Sequence, residues 1–152
     1  FESSVCQIRQ SDQAGQHHGR LMASQAIMTN SQEPLATGHA VRRFKDPAYV
    51  ELATNLQTLR DEIDDLDRQI VALMAARSLR VRDATRFKKD AFQVAAPARQ
   101  AEVFKKVRNL ASEHADNFPG FEDIVESAYR SLVAGFIAAE QTLFSQTEEV
   151  TS

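Results

Sequence analysis

Apolar residues recur at alternating steps of four and three positions through the middle of the chain. They are Leu52, Leu56, Leu59, Ile63, Leu66, Ile70 and Leu73. This spacing is typical of the seam of a helix that packs along its whole length. Asp46-Pro47 has the form of an N-cap followed by proline at the first helical position, and no Gly or Pro interrupts residues 48–90. The pattern therefore predicts one long helix over residues 46–90.

Two shorter helical patterns follow a connection at residues 91–96. The first, over residues 97–115, starts at a proline and carries Val103, Val107, Leu110 and Ala111 on one face. The segment DNFPG at 116–120 then predicts a break. The second pattern covers residues 121–144, with the stripe Val125, Tyr129, Leu132, Phe136, Glu140 and Leu143. No strand pattern is present, so the fold class expected is all-α with three helices.

The two ends of the chain lack this periodicity. Residues 1–45 are rich in Gln, Ser, His, Gly and Thr, and we expect a flexible N-terminal arm. Residues 147–152 are expected to be a disordered tail. A single helical domain is predicted between them, over residues 46–146. Because a helix as long as the first one cannot bury its seam against itself, it needs a partner helix, which we expect from a second subunit.

Composition narrows the range of functions. A formal net charge of −3 and dispersed basic residues argue against a nucleic-acid partner. One cysteine and four histidines, three of them near the N-terminus, do not predict a metal site. No apolar run approaches the ~20 residues of a membrane span, and no signal-like segment opens the chain, so we expect no membrane and a cytoplasmic protein.

Two cations occupy positions that the long seam should bury. The seam position after Leu73 holds Arg77, and the same seam continues to Lys88. A buried cation is costly unless an anion lies beside it, and no acidic residue shares this stretch of the seam. A bound anion is therefore expected. The simpler alternative is that both side chains extend to solvent from the ends of the seam.

The segments LRDEIDDLD at 59–67 and IVALMAAR at 70–77 resemble the opening motif of the all-helical, AroQ-type (type II) chorismate mutases. The separations of 17 residues from Arg60 to Arg77 and 11 from Arg77 to Lys88 are also those of that family. The resemblance covers roughly residues 52–144. It implies an intertwined helical homodimer and the pericyclic rearrangement of chorismate to prephenate, which needs no cofactor and no metal.

The resemblance also implies roles for single residues. Arg77, Lys88 and Arg99 would act from one subunit, and Arg60 would reach in from the other. The arginines would hold the two carboxylates of the substrate, since a guanidinium can bind a carboxylate with two parallel hydrogen bonds. Lys88 would donate to the ether oxygen of the breaking C–O bond.

Glu140 matches the family position that also faces the ether oxygen. A charged carboxylate would repel the negative charge that develops there, so Glu140 is expected to act in its protonated form. Its neighbour Gln141 would take this role if the helix is rotated by one residue. We favour Glu140, because it lies on the apolar stripe of its helix.

Three features depart from the mutase pattern and resemble isochorismate pyruvate lyases, which make salicylate and pyruvate on the same scaffold. Gln100 stands where mutases have an acidic residue that contacts the ring hydroxyl of the substrate. Ala96 replaces an aspartate, and Lys88 and Arg99 are 11 residues apart instead of 12. The mutase is the primary prediction and the lyase is the alternative. A second alternative is a non-catalytic helical dimer with a regulatory role.

Overall fold

A computed structural model describes residues 33–150, and all regular structure in that range is helical. The α-helices are α1 (Leu56–Ala84), α2 (Ala91–Ala95), α3 (Pro97–Ser112) and α4 (Phe121–Phe144), and short 3₁₀ turns lie at Thr85–Phe87 and Ala115–Asn117. The all-α class with three main helices is thereby confirmed. The described chain divides into two compact units, a first that ends at Asp64 and a second that begins at Asp65.

The first unit shows that the predicted helix start was wrong. Asp46 makes a turn instead of a helix cap: its Oδ1 accepts a hydrogen bond from the Ala48 amide at 2.9 Å. The helix begins at Leu56, where Asn55 Oδ1 accepts from the Thr58 amide at 2.9 Å. Asp and Asn are about equally good N-caps, so the spacing of the apolar residues alone did not decide between them. Of the predicted arm, residues 1–32 lie outside the described residues, and residues 33–45 form turns and irregular chain.

The end of α1 also differs from the prediction, because Asp90 belongs to the next helix. Its backbone is extended (φ −155°, ψ 173°), and its side chain caps α2 by accepting from the Gln93 amide at 2.8 Å. An N-cap residue cannot at the same time continue the preceding helix. The chain therefore leaves α1 after Ala84, passes through the 3₁₀ turn and becomes extended at Lys88.

The junction of α2 and α3 lies at Ala96 and Pro97. Ala96 is left-handed (φ 46°, ψ 58°), a conformation that commonly ends a helix, and its amide donates to the Phe92 carbonyl. Pro97 itself begins α3, as predicted, although the helix ends at Ser112. The predicted connection at residues 91–96 thus contains a short helix, and Val94 of that helix is 1 % exposed.

The core of the second unit lies where α2, α3 and α4 meet. Its buried apolar residues are Val94, Phe104, Val107, Ala111 and Val133. Helix α4 has the bounds predicted for it, and it begins after Gly120, whose φ of 70° suits a residue without a side chain. Arg108 of α3 joins the two long helices of this unit, since it donates to Asp123 at 2.7 Å and to Glu126 at 2.8 Å, both on α4.

Helix α1 contains no buried residue. Its apolar stripe is open instead, with Ile63 54 %, Leu66 57 %, Ile70 47 % and Leu73 70 % exposed. In the described residues, no helix combines the length and the apolar character needed to cross a membrane. The apolar stripe of α1 is thus a helical face left uncovered in a single chain.

Candidate active site

The second unit contains a cleft of about 340 Å³ between the C-terminal half of α1, the α2–α3 junction and α4. Its polar lining residues are Arg77, Arg80, Lys88, Arg99, Gln100 and Glu140, and its apolar ones include Val81, Val94, Val103, Val133, Phe136 and Ile137. Four cations and one carboxyl group thus line the same cleft. We call this site the cationic cleft.

Arg77 has the least satisfied charge in the cationic cleft. One of its terminal nitrogens, Nη1, is shielded from solvent and makes no hydrogen bond within residues 33–150. The guanidinium lies 5.3 Å from the centre of the Phe136 ring, a cation–π contact that holds the group in place without using its N–H donors. A buried N–H of a cation without an acceptor is costly, and an anionic ligand in the cleft would remove that cost.

Glu140 and Lys88 form a pair deep in the cationic cleft. Glu140 is 3 % exposed and the Lys88 side chain is 19 % exposed. Glu140 Oε1 accepts a hydrogen bond from Lys88 Nζ and another from Thr85 Oγ1, the latter at 3.1 Å. Such a set of donors suits an ionised carboxylate when no ligand is bound.

Two residues in the first turn of α3 lie at the mouth of the cleft. The Arg99 side chain is 68 % exposed, and its Nη1 donates to Glu102 at 3.1 Å. The side chain of Gln100 turns back to its own loop, where Nε2 donates to the Ala95 carbonyl at 2.7 Å. Gln100 therefore braces the α2–α3 junction, and its amide nitrogen is already engaged.

Two predicted site residues are not part of this cleft. Arg60 belongs to the first unit, where a guanidinium nitrogen lies 3.9 Å from the Glu33 carboxylate. Gln141 donates to the Ala91 carbonyl at 3.1 Å and is absent from the cleft lining, whereas Glu140 is present. The structure thus brings together Arg77, Lys88, Arg99, Gln100 and Glu140.

Sequence reasoning missed two polar residues of the site. Arg80 is exposed, and it lines the cleft one helical turn after Arg77. That spacing of three residues was the available signal. Thr85 is 3 % exposed and bonds Glu140, which lies 55 positions away in sequence, so no local pattern indicated the contact.

A comparison with protein-family models supplies the assignment. The model described as chorismate mutase type II matches residues 59–141, more than half of the chain. The chain belongs to the chorismate mutase type II family. Chorismate is accordingly the small-molecule substrate that membership implies, and the matched region includes every polar residue of the cationic cleft. A search among curated proteins found no match.

Membership of the chorismate mutase type II family also agrees with the charge of the cleft. Chorismate carries two carboxylates, and the cleft presents an excess of cations to whatever binds there. Among the described residues, no cluster of three or more His, Cys, Asp or Glu side chains is placed to hold a metal ion. The site is thus suited to a small dianion bound by guanidinium and ammonium groups.

Proposed function

We propose that this protein is a chorismate mutase that converts chorismate to prephenate. The observation that carries the proposal is Arg77, whose buried and unpaired guanidinium nitrogen belongs to a cleft lined by cations. The volume of about 340 Å³ suits a small organic ligand. Arg77 binds one substrate carboxylate with two parallel hydrogen bonds, and Arg99 closes the mouth of the cleft on the substrate.

The reaction breaks a C–O bond and forms a C–C bond in one pericyclic step, without an enzyme nucleophile or a net proton transfer. Negative charge grows on the ether oxygen as the C–O bond lengthens. Lys88 Nζ donates to that oxygen, and in the cleft its charge is more effective than in water. The arginines hold the flexible side chain of the substrate over its ring, which lowers the entropic part of the barrier.

Glu140 serves as the second donor to the ether oxygen. In this role its carboxyl group carries a proton, because an ionised carboxylate would repel the developing charge. The Lys88 ammonium, which bonds Glu140 Oε1 in the ligand-free protein, then also reaches the substrate. Glu140 is preferred to Gln141, since the Gln141 amide is committed to the Ala91 carbonyl.

The catalytic unit is a homodimer, with residues 46–146 as the catalytic domain. A second copy of the chain covers the exposed stripe of α1, where Leu66 and Leu73 are 57 % and 70 % exposed. Burial of such side chains contributes about 1.5–3 kcal/mol each. In this assembly Arg60 of the partner subunit completes each cationic cleft and binds the second carboxylate.

The α2–α3 junction favours the lyase as the alternative reaction. An acidic residue that would contact the ring hydroxyl of chorismate is replaced by Gln100, whose amide nitrogen is bound to Ala95. Isochorismate has its ring hydroxyl at a different carbon, so it does not depend on that contact. The lyase would then release pyruvate and form salicylate in the same cleft.

A side-by-side assay with purified chorismate and isochorismate tests the proposal. Loss of chorismate absorbance and formation of prephenate report the mutase, and salicylate fluorescence reports the lyase. We expect prephenate as the main product, and salicylate as the main product would establish the alternative. If neither forms and no dicarboxylate transition-state analogue raises the melting temperature, the chain is a non-catalytic helical dimer.

A further inference from the structure

Thr85 is a buried hydroxyl without a role in the reaction described above. It is 3 % exposed and lies in the 3₁₀ turn that connects α1 to Lys88. Its Oγ1 is 3.1 Å from Glu140 Oε1 and 3.4 Å from the Val81 carbonyl oxygen. A hydroxyl has one proton to donate, and the nearer acceptor, which can carry charge, is the better one. Thr85 therefore donates to Glu140.

The two donors that reach Glu140 meet at the same oxygen. Lys88 Nζ and Thr85 Oγ1 both bond Oε1, and neither bond involves Oε2. An oxygen that already accepts from a cation and a hydroxyl is a poor place for a proton. When the carboxyl group is protonated, the proton therefore belongs on Oε2.

Lys88 cannot fix this arrangement alone, because in the proposed reaction its ammonium also serves the substrate. As Lys88 turns towards the ether oxygen, Thr85 is the donor that stays on Oε1. Thr85 is not among the residues that line the cleft, so it acts through Glu140 and not on the substrate. We propose that Thr85 is a positioning residue that holds Glu140 Oε1, so that Oε2 carries the proton offered to the substrate. This role rests on the proposed function.

The surroundings of Glu140 predict the effect of removing the Thr85 hydroxyl. The charged groups that share the cleft with Glu140 are Arg77 and Arg80 from α1, Lys88 from the loop, and Arg99 from α3. Among the hydrogen bonds to Glu140, those from Lys88 and Thr85 are the ones that hold Oε1. Loss of the Thr85 hydroxyl should therefore misalign the carboxyl group when Lys88 turns to the substrate.

The test compares Thr85→Ser, Thr85→Ala and Thr85→Val in the full chain, with chorismate and isochorismate as substrates. Serine and alanine at this position differ only in the hydroxyl, so their comparison holds even if Thr85→Val fails to fold. The matched control is Thr142→Val, which removes an exposed hydroxyl from the helix that carries Glu140. Each variant is characterised by kcat, KM, a pH profile of kcat and thermal melting.

We expect Thr85→Ala and Thr85→Val to lower kcat about tenfold with little change in KM, since the carboxyl group of Glu140 loses the hydrogen bond that orients it. Thr85→Ser and Thr142→Val should stay within about twofold of the unchanged protein.

Two outcomes would contradict this role in different ways. An active protein in which Thr85→Ala matches Thr85→Ser in kcat and KM would overturn the positioning role alone. A folded, unchanged protein that turns over neither substrate would overturn the proposed function and this role with it.

Discussion

Arg77 combines positive charge, a buried nitrogen without an acceptor, and a place in a cleft. Such a group lowers the stability of the free protein, because its desolvation is not compensated. The same group strengthens the binding of an anion, since the anion meets a donor already stripped of water. Arg77 is therefore expected to lower the stability of the free protein and to raise its affinity for an anion.

Replacement of Arg77 by methionine should separate these two effects. We expect kcat/KM to fall by a hundredfold or more, because the carboxylate loses a charged, bidentate partner. The thermal midpoint of the ligand-free protein should stay the same or rise. Arg82→Met, at an exposed position near the end of the same helix, is the control and should leave turnover unchanged. Undiminished turnover in the Arg77 variant would remove it from the site.

Glu140→Gln tests whether Glu140 must carry a proton to donate to the ether oxygen of the substrate. An amide keeps its two N–H donors at every pH, whereas the carboxyl group loses its donor when it ionises. We therefore expect the activity of the unchanged protein to fall as the pH rises, and the Gln variant to have a flatter profile. A profile with the same shape in both proteins would show that a different group titrates.

At the scale of elements, the contact between α3 and α4 depends on a small network of charges. Glu126 accepts from Arg130 and from Arg108, both at 2.8 Å. The bonds from Arg130 and then Arg108 lower the pKa of Glu126 below its ordinary value of 4.5. Its contribution to stability is therefore present above that pH and is lost as the pH falls through the lowered pKa.

Acid unfolding should show this dependence. In Glu126→Gln the free energy of unfolding should fall less steeply between neutral pH and about pH 3, because there is no carboxylate to protonate. The control is Glu113→Gln, because Glu113 is exposed and forms no ion pair among residues 33–150. Parallel acid profiles for the Glu126 variant and the unchanged protein would contradict the prediction.

The elements also show where sequence reasoning works. The bounds of α4 were predicted because a proline–glycine break precedes it and one stripe runs along its whole length. The start of α1 was missed because Asp46 and Asn55 are equivalent caps by local rules. Helix α2 was missed because five residues are too short for a periodic signal. The bond from Thr85 to Glu140 was missed because it joins distant segments.

At the scale of the whole molecule, the uncovered face of α1 is the surface on which the proposed dimer would form. Ile70→Glu places a charge on the apolar stripe, and we expect it to shift the protein to monomers. If Arg60 acts across the interface, this variant should also lose turnover. Gln69→Glu adds the same charge beside the stripe and should leave the dimer intact. Light scattering after size-exclusion chromatography measures the mass of each variant. A monomeric unchanged protein would contradict the dimer.

The cationic cleft has a consequence for how substrate arrives. Four cations and one carboxyl group produce a local field that draws dianions out of the bulk, although the whole chain has a formal charge of −3. Mobile ions weaken such a field beyond about 10 Å at 0.1 M salt. Added sodium chloride should therefore slow capture and lower kcat/KM more than kcat, and phosphate buffer, as a small dianion, should compete for the same charges.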